Sequence, residues 1–209
     1  MKLRMIHNEE RGTLITFCGL DGSGKTTQIN RLMSYLREKG YDVFITKQPT
    51  EFVRKSEIFR NYMDTDNHNN FDYRALSLLC AADRVQHSNR IIAEKLKEGY
   101  IVISDRYFYS CLANLKARGY ENDMWIYDIA QFIPMPDFSF FMDIEVETAI
   151  KRVRSRINEK ERFIDIPLQY KLREQYIKIC NENSGILISS TEDEFKCFNK
   201  IKLYVDTIL

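Results

Sequence analysis

Eight consecutive residues restrict this chain more than any others. Gly19-Leu20-Asp21-Gly22-Ser23-Gly24-Lys25-Thr26 satisfies G-x-x-x-x-G-K-[ST] at every fixed position, between an apolar run and a helical pattern. Its glycines let the backbone close on phosphate oxygens with several N–H groups, and the following helix adds its positive end. In this reading Lys25 is a mobile charge, exposed in a crevice, for the β- and γ-phosphates of a nucleotide, and the Thr26 hydroxyl is placed to ligate Mg²⁺. A bare glycine-rich turn is the alternative, and the agreement of motif and context argues against it.

Such a loop requires a buried strand before it, and the chain supplies more of them. Apolar, β-branched and aromatic runs recur at Thr13–Cys18, Tyr41–Thr46, Tyr100–Ser104, Phe138–Met142 and Ile186–Ser189, separated by helical periodicity. Continuous apolarity, as in Ile101-Val102-Ile103, suits strands covered on both faces. The pattern predicts an α/β fold, a five-stranded parallel sheet flanked by helices in three layers. Lys25–Gly40 reads as a helix ended by Gly40, and Phe71–Glu98 as one long helix ended by Gly99. Further helices are expected at Tyr107–Arg118, Asp123–Phe132, Glu145–Arg156, Pro167–Asn181 and Glu192–Ile208. The polar stretch from Asp64 to Asn70 reads as a surface loop rather than a boundary, so residues 1–209 are expected to form a single domain.

Composition narrows the function. With 31 Lys and Arg against 30 Asp and Glu, no global field recruits nucleic acid or an anionic membrane, so any basic site is local. The five scattered cysteines have no C-x-x-C spacing and read as reduced thiols. No run of about 18 apolar residues is present to span a bilayer and the opening residues lack a signal-like apolar stretch, so a cytoplasmic location is expected.

In a parallel α/β sheet the carboxyl ends of the strands converge, and ligands bind there. Three segments therefore meet: Gly19–Lys25, Lys47-Gln48-Pro49-Thr50 and Ser104-Asp105-Arg106-Tyr107. Asp105 can hold a Mg²⁺-bound water, and Arg106 offers a planar fork for phosphate oxygens. A helix-start ion pair is the plainer reading of that dipeptide, weakened by the phosphate loop beside it.

The run Phe17 to Gln28, which includes Thr27, then Ala82-Asp83-Arg84, Asp105-Arg106-Tyr107 and a basic stretch through Arg162-Phe163, resembles the thymidylate kinase family in order and spacing over nearly the whole chain. The resemblance implies a three-layer P-loop kinase fold with a mobile basic lid at about 151–165, usual assembly as a homodimer, and transfer of the ATP γ-phosphate to dTMP with Mg²⁺. It implies that Gly19, Asp21, Gly22, Ser23, Gly24, Lys25, Thr26 and Thr27 hold ATP. Asp21 accepts from the acceptor's 3′-hydroxyl, Arg106 contacts the acceptor phosphate, and Arg84 reaches the acceptor base, unless Arg84 is merely paired with Asp83 or Asp72. Lys47, Pro49 and Tyr107 fall at acceptor-side positions. The apolar positions of the long helix are the candidate dimer surface, with the core as their equal alternative.

Lys151–Arg162 carries six cations and two anions in a nearly neutral chain. Arginines brought in as water is excluded stabilise charge on a transferring phosphoryl group. In one branch of the family an arginine of the phosphate loop does this; here Gly22 and Ser23 are neutral, so the resemblance implies that the task falls to Arg154, Arg156 or Arg162, a solvated basic face being the alternative. The acceptor side departs from the family: Thr46-Lys47-Gln48-Pro49 stands where Thr-Arg-Glu-Pro is common, Cys80 where a phenylalanine stacks on thymine, and Asn114 where an aromatic packs beside the deoxyribose. Tyr73, Tyr107 or Tyr109 could replace the stacking partner. The alternatives to a dTMP kinase are the same machine retuned for another or modified nucleoside monophosphate, and a non-catalytic nucleotide sensor or switch. A GTPase switch would show Asn-Lys-x-Asp, and the nearest match, Asn199-Lys200-Ile201-Lys202, lacks the Asp.

Overall fold

The computed structural model of the chain describes residues 1–64, 72–160, 163–191 and 193–208. Five strands, β1 (Thr13–Gly19), β2 (Val43–Lys47), β3 (Ile101–Asp105), β4 (Phe138–Asp143) and β5 (Ile186–Ser189), form one sheet in the order β2-β3-β1-β4-β5. Every pairing is parallel. All five expected strands are present, and the phosphate loop leaves the central one.

The sheet separates two apolar layers because successive strand residues face opposite ways. Ile15 and Phe17 of β1 pack with Ile101, Ile103 and Phe140 against α1 (Lys25–Glu38) and α10 (Glu194–Val205), through Leu32, Leu36, Ile201 and Val205. Leu14 and Cys18, with Val102 and Phe141, face the other layer, which is built by α4 (Tyr73–His87), α6 (Phe108–Ala117) and α9 (Ile166–Glu182). This is the doubly covered parallel sheet that continuous apolar strands require.

Two differences bear on the site. The single long helix expected over Phe71–Glu98 is three pieces: α4, a π turn at Ser88–Ile92 and α5 (Ala93–Lys97). A hydrophobic period cannot register one extra residue in a wide turn. The turn follows His87, whose ring bonds Thr46 Oγ1 (2.8 Å) and Gln48 Nε2 (3.1 Å), so helix and β2 are joined where their spacing changes. Second, α2 (Glu51–Arg54) and α3 (Glu57–Asp64) fill a stretch for which no helix was predicted. Most of the expected loop, and Phe71, lies outside the described residues. The remaining elements, α7 (Trp125–Ala130) and α8 (Val146–Arg154), fall inside their predicted ranges, and a 3₁₀ turn at Ile157–Glu159 continues beyond α8.

Candidate active site

The carboxyl edge of the sheet opens into a crevice of about 860 Å³. Gly19, Lys47 and Asp105 line it from the ends of β1, β2 and β3.

At its centre the loop is held tightly by its neighbours. Gly22 has φ +84°, and a Cβ there would lie 2.3 Å from the Ala149 carbonyl oxygen of α8, so only glycine fits. Lys25 is buried rather than exposed, which corrects the expectation of a solvated charge. Its ammonium donates to the carbonyls of Leu20 (2.7 Å) and Gly19 (3.2 Å) and to Ser23 Oγ (3.4 Å). Burial, reinforced by the nearby Arg106 charge, lowers its pKa to about 8. An arriving phosphate offers what those neutral oxygens do not, a full opposite charge.

Arg106 sits at the meeting point. Its φ of +70° is costly for a residue with a side chain, and its N–H donates to the Phe17 carbonyl at 2.8 Å, fixing the strained turn to β1. Nη2 contacts Asp21 Oδ1 at 2.6 Å, while Nη1 donates to the Tyr176 hydroxyl (2.9 Å) and the Gly19 carbonyl (3.1 Å). Burial works against its charge, but Tyr176, Asp21 and Asp105 outweigh it and hold the guanidinium cationic.

Asp105 is almost covered, with Oδ2 3.4 Å from Lys47 Nζ and Oδ1 buried without a hydrogen-bond partner among the described residues. An orphaned carboxylate oxygen beside a phosphate loop, with Thr26 exposed on the same wall, fits a hydrated divalent cation. Among the described residues no cluster of three or more His, Cys, Asp or Glu side chains could hold a metal. Such an ion would take most of its ligands from phosphate and water.

Along the acceptor wall, Arg84 is buried and bonds the Cys80 carbonyl (3.0 Å) and the Tyr107 carbonyl (3.4 Å), not Asp83 or Asp72. Asp83 instead accepts from the Thr50 N–H at the start of α2, and Asp72 caps α4. Cys80 lines the crevice, its thiol pushed up to about 11 by burial. Tyr107 is turned into the core, donating its hydroxyl to the Pro134 carbonyl at 2.7 Å, so it contributes only its own carbonyl to the site. Tyr109 packs on Phe141. Of the three candidate stacking aromatics, Tyr73 alone lines the crevice.

The other expected residues divide plainly. Gly24, Thr27, Pro49 and Asn114 line the crevice, while Ser23 is buried beneath the loop. Arg156 reaches the crevice from the basic stretch, Arg154 is exposed on α8 outside it, and Arg162 lies outside the described residues. Arg152 comes within 3.9 Å of the Cβ position of Gly24 and donates to the Ser190 carbonyl.

Sequence reasoning missed three crevice arginines, Arg54, Arg60 and Arg118. Arg54, on α2, bonds the Pro49 carbonyl at 2.8 Å, and its guanidinium is lowered by burial and by Arg106, which places it in the same electrostatic cluster. The signal was present: Pro49-Thr50-Glu51 is a helix start. Arg118 stands with Cζ 3.9 Å from the Tyr73 ring centroid and lines the crevice. Its contacts span α3, α4 and α6, and no local pattern reports them.

Known proteins are similar to this chain over most of its length. The family described as Thymidylate kinase matches residues 17–201. A "Probable thymidylate kinase" of Pyrococcus horikoshii is 38% identical over 176 residues, covering 81% of this chain and 83% of the relative. One of Thermococcus kodakarensis is 34% identical over 91% of this chain and 96% of its own length. A "Thymidylate kinase" of Geobacillus sp. is 34% identical, covering 85% and 87% respectively.

Proposed function

The chain belongs to the thymidylate kinase family, and we propose that its crevice moves the ATP γ-phosphoryl group to a pyrimidine nucleoside monophosphate, dTMP first, giving dTDP and ADP. It is an ATP-dependent phosphotransferase. The observation that carries the acceptor half is continuity: one cavity joins the loop and Lys25 to Asp21, Arg106 and Arg54, and then to Arg84 and Tyr73. A nucleotide sensor has no need of a second cationic wall beyond its phosphate loop. The fragment Asn199–Lys202 lies inside α10, away from a guanine-reading loop.

In the reaction an acceptor phosphate oxygen bonds to the γ-phosphorus as the bond to the β,γ-bridging oxygen breaks, and ADP carries away the electron pair. Lys25 leaves its loop carbonyls for the transferring phosphate, and Arg106 and Arg54 hold the acceptor phosphate against repulsion from ATP. Asp21, already anchored by Arg106, takes the acceptor 3′-hydroxyl. Thr26 and Asp105 would hold Mg²⁺, which spreads the charge of the phosphates when bound. Arg156 supplies the lid cation.

A thermal-shift panel tests this reading, since a ligand that binds the native state raises the midpoint. ATP and dTMP are expected to raise it separately and dGMP much less. A panel in which no pyrimidine monophosphate shifts the midpoint removes the acceptor assignment.

The same reading includes a homodimer through α4, the π turn Ser88–Ile92 and α5. Leu76, Ala81 and Leu96 are core, while Leu78 and Ile91 point outward, which supports such a surface. Sedimentation at micromolar concentration tests it. All five cysteines are free, in keeping with a reducing compartment, and no described helix is long and apolar enough to cross a membrane.

A further inference from the structure

We propose that Arg118 is a specificity-determining residue of the acceptor pocket, presenting hydrogen-bond donors to the sugar edge so that pyrimidine nucleotides bearing a 2′-hydroxyl are taken as acceptors beside dTMP. This rests on the acceptor reading above and extends it.

The guanidinium is fixed on three sides. Nε donates to the Tyr62 hydroxyl at 2.7 Å, and Nη1 to the Asn114 carbonyl (3.0 Å) and Asn114 Oδ1 (2.9 Å). One face lies on the Tyr73 ring, itself 5.3 Å from the Tyr62 ring. Asn114 is locked in turn, its Nδ2 donating to the Ser110 carbonyl at 2.8 Å. Nη2 is left with two N–H groups and no partner among the described residues. A half-buried arginine held this firmly presents those donors in a fixed direction.

The direction follows from the cavities. Arg118 lines the main crevice, and with Asp21 it also lines a smaller cavity adjoining it. It therefore shares one cavity with the carboxylate that takes the 3′-hydroxyl and another with both that carboxylate and the base wall of Arg84 and Cys80. The part of a nucleoside monophosphate that lies there is the sugar edge, where a 2′-hydroxyl can accept from Nη2. A deoxyribose offers only C–H, leaving the donor to whatever water can reach it. A site built to bond a hydroxyl discriminates against the analogue that lacks it.

The test compares UMP with dUMP, which differ only at the 2′ position, with dTMP as a reference acceptor and ADP formation as the readout. The wild-type protein is expected to phosphorylate UMP. Arg118→Met, which keeps apolar contact with the tyrosines but has no donor, should lower the ratio of kcat/KM for UMP over dUMP about tenfold. Arg118→Lys keeps the charge but loses the fixed Nη2 donors, and should lower that ratio in the same direction, covering the case in which Arg118→Met fails to fold. An unchanged ratio in a folded variant, with both acceptors reduced alike, overturns the proposal in favour of a structural prop. Activity of the wild-type protein on dTMP and dUMP without any on UMP also overturns it, while leaving the acceptor reading standing. Failure with every pyrimidine monophosphate, dTMP included, is the separate outcome that defeats the acceptor reading itself.

Discussion

Replacing Lys25 with methionine is expected to make the ligand-free protein more stable while destroying its chemistry. The fall of the Lys25 pKa from 10.5 to about 8 corresponds to roughly 3 kcal/mol against the buried charge at neutral pH. Its removal leaves few orphans: the Gly19 carbonyl keeps Arg106 Nη1 at 3.1 Å, and the Leu20 carbonyl keeps the Ser23 N–H at 3.3 Å. Allowing for the lost ammonium bonds, the gain is about 1–3 kcal/mol, or roughly 3–10 °C in midpoint for a chain of this size. Turnover should drop by about three decades or more, because Lys25 has no substitute on the β- and γ-phosphates. The pH dependence supplies an independent check. Between pH 8 and 10.5 the unfolded chain binds one proton more at this residue than the folded one, so the Lys25 contribution to stability rises with pH through that window. Subtracting the Lys25→Met denaturation curve from the wild-type curve isolates that slope from the tyrosines that titrate nearby. Differential scanning fluorimetry and a coupled ADP assay read both halves. A lower midpoint in the variant, or turnover within tenfold of wild type, would refute the reasoning.

Asp105→Asn keeps the shape but removes the charge, so it should raise the Mg²⁺ concentration needed for half-maximal rate at least tenfold, measured by Mg²⁺ titration at fixed ATP. Alanine at Arg154, Arg156 and Arg162 together is expected to lower kcat by about two to four decades with a much smaller effect on ATP affinity, and Arg156→Ala alone should account for most of the loss because it lines the crevice. Near-normal kcat in the triple variant would make the stretch a solvated surface. Cys80→Phe puts an aromatic one helical turn from Arg84 on the same wall and should tighten dTMP binding by about 1–3 kcal/mol in calorimetry. No gain would mean that Tyr73 already supplies the stacking face.

The fold was legible because its signals are local. Each strand is a continuous apolar run, and the glycine loop states both its own geometry and the strand and helix on either side. Lys25, Asp21, Asp105 and Arg106 came with it, since a parallel sheet brings its carboxyl ends to one edge wherever the helices go. What stayed hidden depends on tertiary partners. Tyr107 follows Arg106 in sequence, but the left-handed turn at Arg106 sends it into the core, a reversal that residue order does not encode. Arg54 lines the crevice from α2, which is tied to α4 through Thr50 and Asp83, residues 33 apart in sequence. Lys25 looked exposed because a motif specifies residue types and says nothing of how closely the loop folds over its lysine. The π turn after His87 likewise leaves the hydrophobic period nearly intact, so one continuous helix was the natural reading.

The central claim is that one crevice binds both ATP and a pyrimidine monophosphate and transfers phosphate between them. Its most direct test is to incubate the protein with ATP, Mg²⁺ and dTMP and to quantify the nucleotides by ion-exchange chromatography. dTDP and ADP are expected to appear in equal amounts, neither is expected when dTMP is omitted, and Lys25→Met is expected to abolish both. ADP formed without dTMP at the same rate, or ATP and dTMP recovered unchanged while both bind, would contradict it.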